Sequence, residues 1–171
     1  MRAFSCSTIL GSLLLSAAVL AGFGGTGFAA EKDYPPEFVK SVQAGDFVTD
    51  YKLALALSKE SKRPILADFT GSDWCGWCIK LKGEVFDTKE FKEWAGKNVI
   101  MLEVDFPNQK KLDPKLKAQN DELQTKFQIN GFPTVVVLDD KGAKKGELGY
   151  QAGGPSVWIP LAAKAAGIKT K

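Results

Sequence analysis

The chain has 171 residues, 44% of them hydrophobic and 25% charged, enough for one domain with a real core plus a short extra segment. Its formal charge is only +3, with no long basic run and no interleaved aromatics, which argues against a nucleic-acid partner. It contains no histidine, which excludes Cys–His and Ser–His nucleophilic machinery and any Cys/His zinc site.

Residues 1–29 read as a signal peptide. Arg2 supplies a short positive start, Ile9 to Leu20 an apolar stretch broken by Gly11, Ser12 and Ser16, and Gly27-Phe28-Ala29 the small residues before cleavage at Ala29 or Ala30. The run is short of the roughly 20 apolar residues of a membrane span; an uncleaved anchor is the alternative. Arg2 has no second Arg beside it and the cleavage point has no lipobox Cys, so general secretory export to a periplasmic or secreted location is expected. Cleavage removes Cys6 and leaves Cys75 and Cys78. It also takes the 23 basic residues to 22, against 20 acidic ones. An exported protein with a single closely spaced pair is not a disulfide scaffold.

Residues 30–46, with Pro35-Pro36, form a lead-in to a domain over 47–171. Thr49 is expected to cap a helix over Asp50 to Lys59, with Val48, Tyr51 and Leu55 on one side. Pro64 precedes a buried strand, Ile65 to Phe69, apolar on both faces apart from Asp68. A helix begins at Cys75-Gly76-Trp77-Cys78 and runs toward Glu84, and Asp87 with Glu90 resembles a capping box that restarts it through Ala95. Val99 to Leu102 with Val104 is the next buried strand, and Phe106 to Leu112 a loop. Asp113-Pro114 starts a helix to Phe127, with a cap followed by Pro at the first helical position. Thr134 to Leu138 is a strand, Asp139 to Gly142 a turn, and Glu147 to Tyr150 its antiparallel partner. After Gly153-Gly154-Pro155, a last helix carries Trp158, Leu161, Ala162 and Ala165 at helical spacing.

Two cysteines two residues apart at a strand-to-helix junction form a pair able to cycle between dithiol and disulfide. The residues alone leave two other readings: an inert staple, though so short a loop gains little entropy, or half of a metal site shared between subunits. No cofactor and no resident metal are expected.

Asp68-Phe69, Trp74-Cys75-Gly76-Trp77-Cys78 with Lys80, and Gly131-Phe132-Pro133-Thr134 stand in the order and places of the thioredoxin-like motifs. The chain resembles the exported thioredoxin-like proteins with a D-W-C-G-W-C site and an added N-terminal helix. The resemblance implies an α/β thioredoxin fold, a central mixed sheet flanked by helices with an N-terminal helical extension. It also implies a thiol–disulfide oxidoreductase acting on exported protein disulfides. Such a protein is expected to be a monomer, with disulfide-containing proteins as substrates and a membrane thiol reductase as electron donor.

It assigns roles to residues as well. Cys75, at the helix start, is the exposed nucleophile, and Cys78, one turn inside, resolves the mixed disulfide. Lowering a thiol pKa from about 8.5 to the value of about 7 known for thioredoxin takes roughly 2 kcal/mol of preferential thiolate stabilisation. Helix-start N–H groups and the helix dipole can supply about that much without histidine. Asp68 matches the buried carboxylate that accepts a proton below the resolving cysteine, although one extra residue separates it from Cys75 here; a satisfied structural Asp is the other reading. Pro133 is expected to follow a cis peptide bond, so that Phe132, Pro133 and Thr134 meet an extended substrate chain. Trp74 shields the nucleophile, and Gly76-Trp77 completes the substrate-facing set. The family often places a Lys near the buried Asp; Met101 occupies that strand position, so this partner is expected to be missing. Trp77 stands where thioredoxins have Pro and disulfide isomerases His. A bulky apolar residue gives the thiolate no direct charge stabilisation, which favours a reductase or general exchanger over an oxidant. Oxidative folding or isomerisation, and a non-catalytic thioredoxin-fold binding module, are the alternatives.

Overall fold

The computed structural model describes Tyr34 and residues 43–169. The expected signal peptide over 1–29 and all of the lead-in except Tyr34 and residues 43–46 lie outside the described residues. Among those described, no helix is long and apolar enough to cross a membrane.

The elements run β1 (Phe47–Val48), α1 (Tyr51–Ser61), β2 (Ile65–Thr70), α2 (Gly76–Leu81), a π-helical turn (Lys82–Phe86), α3 (Lys89–Asn98), β3 (Ile100–Asp105), α4 (Pro114–Phe127), β4 (Thr134–Leu138), β5 (Lys144–Leu148) and α5 (Pro155–Ala165). The sheet order is β1-β3-β2-β4-β5. β3 runs parallel to β1 and β2, while β4 is antiparallel to β2 and β5 to β4, so the sheet is mixed. This is the thioredoxin fold, with β2 and its apolar run at the centre. The helix ahead of β2 is tied to the sheet edge by β1, a two-residue strand too short to leave a pattern in the sequence.

Side-chain alternation along β2 builds two cores. Ile65, Ala67 and Phe69 join Ile100, Leu102 and Val104 with Leu53 and Leu57 of α1 and Leu123 and Phe127 of α4. Leu66 points the other way with Met101, Val135 and Val137, onto Leu81 of α2, Phe91 of α3 and Trp158 of α5. Asp68 and Thr70 share the parity of Leu66, so the one carboxylate of β2 faces the side that carries the cysteine helix.

Local chemistry corrects several sequence expectations. Asp50, not Thr49, caps α1, accepting from the N–H groups of Lys52 and Leu53 while the Tyr34 hydroxyl donates to its other oxygen. The face that α1 buries is Leu53, Ala54, Leu57 and Ser58, one step round from Tyr51 and Leu55, because α1 leans on both strands and α4. Thr88 replaces Asp87 as the cap of α3, its Oγ1 accepting from the Phe91 N–H at 3.2 Å. Asp87 is drawn into the preceding turn instead: its N–H reaches back to the Lys82 carbonyl at 2.8 Å, an i to i+5 bond. β5 lies earlier than expected, at Lys144–Leu148, because the turn closes within Asp139–Ala143. There Asp139 Oδ1 accepts from the N–H groups of Lys141 and Ala143, and Gly142 takes φ +75°, a left-handed conformation that glycine adopts at no steric cost.

Candidate active site

β2 ends at Thr70, and Gly71 to Trp74 turn the chain so that Cys75 N–H meets the Gly71 carbonyl at 2.8 Å. Cys75 is the N-cap of α2, extended at φ −82° and ψ 103°, and its Sγ accepts from the Cys78 N–H at 3.2 Å. A capping hydroxyl would fill this position in an ordinary helix; here a sulfur does. The two sulfurs are joined, with Cα atoms 5.2 Å apart. Cys75 is 7% exposed and Cys78 3%. The order of accessibility is the expected one, but Cys75 is far more covered than an exposed nucleophile, since in the bonded state each sulfur shields the other.

The turn before Cys75 is latched to the loop after β3. Asp105, the last residue of β3, accepts from the Ser72 N–H at 2.9 Å and from the Ser72 hydroxyl at 2.6 Å. Asp73 accepts from three successive backbone N–H groups, those of Asn108, Gln109 and Lys110, which hold its carboxyl below the usual range. Trp74 Nε1 donates to the Phe106 carbonyl at 2.7 Å. Its indole lies against Gly71, where any Cβ would collide with the ring. Asp73 stood in the sequence only as the first residue of the D-W-C-G-W-C site, and the latching roles of Gly71, Ser72, Asp73 and Asp105 were not legible there. The extra residue between Asp68 and Cys75 lies in the turn that carries this latch.

Around the cysteines the expected site residues fall into two groups. Trp74 packs edge-on to Phe132 at 5.9 Å, and Phe132 stacks on Phe106 at 5.2 Å. The Phe132–Pro133 peptide is cis, and the Thr134 hydroxyl donates to the Gly131 carbonyl. On the other flank Trp77 is 58% exposed and lies 5.2 Å from Tyr150, with Lys80 Nζ 5.3 Å from the centroid of each ring. The Tyr150 hydroxyl donates to Glu84 at 2.6 Å, and Lys80 pairs with Glu84 at 3.7 Å. Gly76 sits exposed between the cysteines with nothing near its Cα. Glu84 lies at helical spacing from Lys80 and Trp77, while Tyr150, distant in sequence, completes a surface stack that periodicity could not reveal.

Asp68 lies 6% exposed, and its Oδ1 has no hydrogen-bond partner. Burial pushes its pKa up to about 8, helped by Glu103 and Asp105 and opposed by Lys82. Glu103 is the in-register neighbour of Asp68 on β3 and is itself raised, by burial and by Asp105. Met101 is buried among apolar residues, and the Lys82 ammonium, which opposes the rise at Asp68, is itself paired with Asp87 at 2.7 Å.

A thioredoxin fold with a bonded Cys-x-x-Cys pair at a helix start, a neighbouring Trp and a cis-Pro strand defines the class. The thioredoxin-like domain family matches residues 51–153, and the chain belongs to it. It is similar to the disulfide bond reductase DsbH of Chlamydia pneumoniae, 38% identical over 109 residues that span 64% of this chain and 66% of that protein. With the thioredoxin-related protein DsbJ of the same organism it shares 36% identity over 89 residues, 52% of this chain and 26% of DsbJ. A solved structure of a DsbH oxidoreductase superposes with a TM-score of 0.69 at 33% identity, covering 75% of this chain and 90% of that one. The chain thus spans just under two thirds of the first of these two relatives and about a quarter of the second.

Proposed function

We propose that this protein is an exported thiol–disulfide oxidoreductase that reduces disulfides in exported proteins through the Cys75/Cys78 couple. The observation that carries the reading is Cys75 Sγ at the N-cap of α2, receiving the Cys78 N–H. A thiolate there gains a hydrogen bond and the positive end of the helix, so the dithiol form is primed without histidine. Similarity to a protein named as a disulfide bond reductase supports the reducing direction, as does Trp77, which offers the thiolate no charge.

In this reading the Cys75 thiolate attacks one sulfur of the client disulfide, and the other client sulfur leaves as a thiolate. Cys78 gives up its proton and attacks Cys75 Sγ. The second client thiol is released, and the site is left oxidised. Asp68, in its ionised form, is the proton acceptor for Cys78: a carboxyl raised to about 8 is matched closely enough to a thiol for the proton to pass at little cost. Trp74, Phe132, Pro133 and Thr134 line the path of the client chain. Two electrons from a membrane thiol reductase then restore the dithiol. Export through residues 1–29 places this chemistry outside the cytosol, where client disulfides persist.

Insulin-disulfide reduction with a small thiol donor tests the assignment. The wild-type protein is expected to accelerate it and Cys75→Ser to lose the acceleration. Equal rates would reject the proposal.

A further inference from the structure

Two carboxyls stand side by side on the sheet face that carries the cysteine helix. Asp68 of β2 and Glu103 of β3 are in-register neighbours on parallel strands, with backbones about 4.8 Å apart. Asp68 shares the parity of Leu66 and Glu103 that of Met101, and both of those pack with Leu81 of α2. The helix starts at the end of β2, where the Cys75 N–H meets the Gly71 carbonyl. Its first turn, with Cys78 buried, is therefore at the Asp68 end of the strand.

No donor or cation pairs with either carboxyl. Asp68 Oδ1 is buried without a hydrogen-bond partner, and Glu103 makes no hydrogen bond or ion pair among the described residues. The charges acting on them are Asp105 from β3 itself, Lys82 from the π-helical turn and Lys110 from the loop. Asp105 is engaged by the Ser72 N–H and hydroxyl, and Lys82 by Asp87 at 2.7 Å. The other elements bring no free charge: β1 gives Phe47, β4 gives Val135 beside Asp68, and α2 gives Cys78 bonded to Cys75. Two neighbouring carboxyls in such a site cannot both ionise cheaply, and their titrations belong to the pair. Burial and then Glu103 push Asp68 up to about 8, while Glu103, the more exposed of the two, is raised as well.

We propose that Asp68 and Glu103 carry a single proton between them in the disulfide state, and that Glu103 holds it on Asp68 for delivery to Cys78. The inference rests on the Cys75/Cys78 exchange reading and adds a residue to it. When a donor thiolate attacks Cys75 Sγ, the Cys75–Cys78 bond breaks, and Cys78 leaves with the electron pair and takes the proton of Asp68. When Cys78 later resolves a client mixed disulfide, the same proton returns to Asp68. Glu103 is a positioning residue: it acts through Asp68 and touches neither sulfur nor client.

The test reduces the oxidised protein with dithiothreitol across a pH series, with acid quench and alkylation of the freed thiols. Dithiothreitol supplies both electrons and ends as its cyclic disulfide. Divided by its thiolate concentration, the wild-type rate is expected to hold to about pH 8 and then fall, as Asp68 loses its proton. E103Q removes the neighbouring charge and should bring that fall about one pH unit lower, whereas E103D should keep the wild-type profile. Asp68→Asn should be slower with a flat profile, and adding E103Q to it should shift nothing further. In 13C-labelled oxidised wild type, the side-chain carboxyl resonances of Asp68 and Glu103 should each show both inflections of the pair. Separate single inflections, or an E103Q profile that falls at the wild-type pH, would overturn the inference. If E103Q does not fold, the wild-type carboxyl titration decides alone. Coupled inflections in a protein that fails to reduce insulin would sustain the pair and strike the exchange reading instead.

Discussion

Asp68 shows how far a single side chain departs from its solution chemistry when the fold surrounds it. Its raised pKa has three sources, burial first, then Glu103 and Asp105, with Lys82 opposing. Because the folded protein holds this proton up to about pH 8 while an unfolded Asp releases it near 4, the native state binds more protons between those values. Unfolding free energy therefore falls as pH rises through that window, the reverse of the usual carboxylate pattern. Denaturant unfolding of the oxidised protein at pH 5 and pH 8 is expected to show a loss on the order of a few kcal/mol for the wild type and a smaller one for Asp68→Asn, in which the raised Glu103 remains. A wild-type midpoint that does not fall would contradict the assignment. That Asp68 is buried was legible from the apolar run Ile65–Phe69; that its Oδ1 lacks a partner and that Glu103 is its in-register neighbour was not, since the register of β2 on β3 sets which residue lies alongside.

At the level of elements, the ends of the helices carry the active site. The cysteine helix continues without a break into the π-helical turn Lys82–Phe86, which lets Val85 and Phe86 both point inward before α3 restarts. Phe86 meets Phe91 at 4.9 Å and Trp158 at 5.2 Å, so this turn anchors the back of the cysteine helix in an aromatic cluster. Thr88 joins the two segments: it donates to the Val85 carbonyl at 2.6 Å and accepts from the Phe91 N–H. Thr88→Ala is expected to cost about 1 kcal/mol, as loss of an N-cap does. Asp87→Ala, which removes only a pair with Lys82 that is half exposed on both sides, should cost about half as much or less. Thermal unfolding of the two variants separates them, and an equal or larger effect at Asp87 would mean that the capping box predicted at Asp87 and Glu90 operates after all. The competition between two adjacent capping residues is settled by the i to i+5 bond of Asp87, a tertiary accommodation of Phe86 rather than a local preference.

At the scale of the described residues, the central sheet carries an apolar core on each face, the cysteine helix packs on one of them, and β2 belongs to both. Among the described residues Cys75 Sγ accepts a hydrogen bond from Cys78 N–H, and no cation is placed on it. Thiolate stabilisation of that size corresponds to a moderate reductant, because stronger stabilisation of the reduced form makes a couple more oxidising. The reduction potential of the pair, measured against glutathione, is expected between about −270 mV, as in thioredoxin, and −200 mV, as in glutaredoxins. A value near −120 mV, as in a strong oxidant, would reverse the direction proposed for electron flow.

The order of elements from Ile65 onward, the strand-to-helix placement of Cys75 and Cys78, the cap at Asp113 and the G-x-P-T strand were all written in the chain, because each depends on residues within a few positions of one another. The sulfur at the N-cap is of this kind: two cysteines three apart at a helix start can do little else. What tertiary structure decided involves partners brought from afar. Glu103 opposite Asp68, Tyr150 against Trp77, and the loop Phe106–Lys110 bound by Asp73 and Trp74 all depend on strand register and on which way a helix faces. A one-residue shift in either moves a side chain to another neighbour, and no local pattern records which neighbour that is.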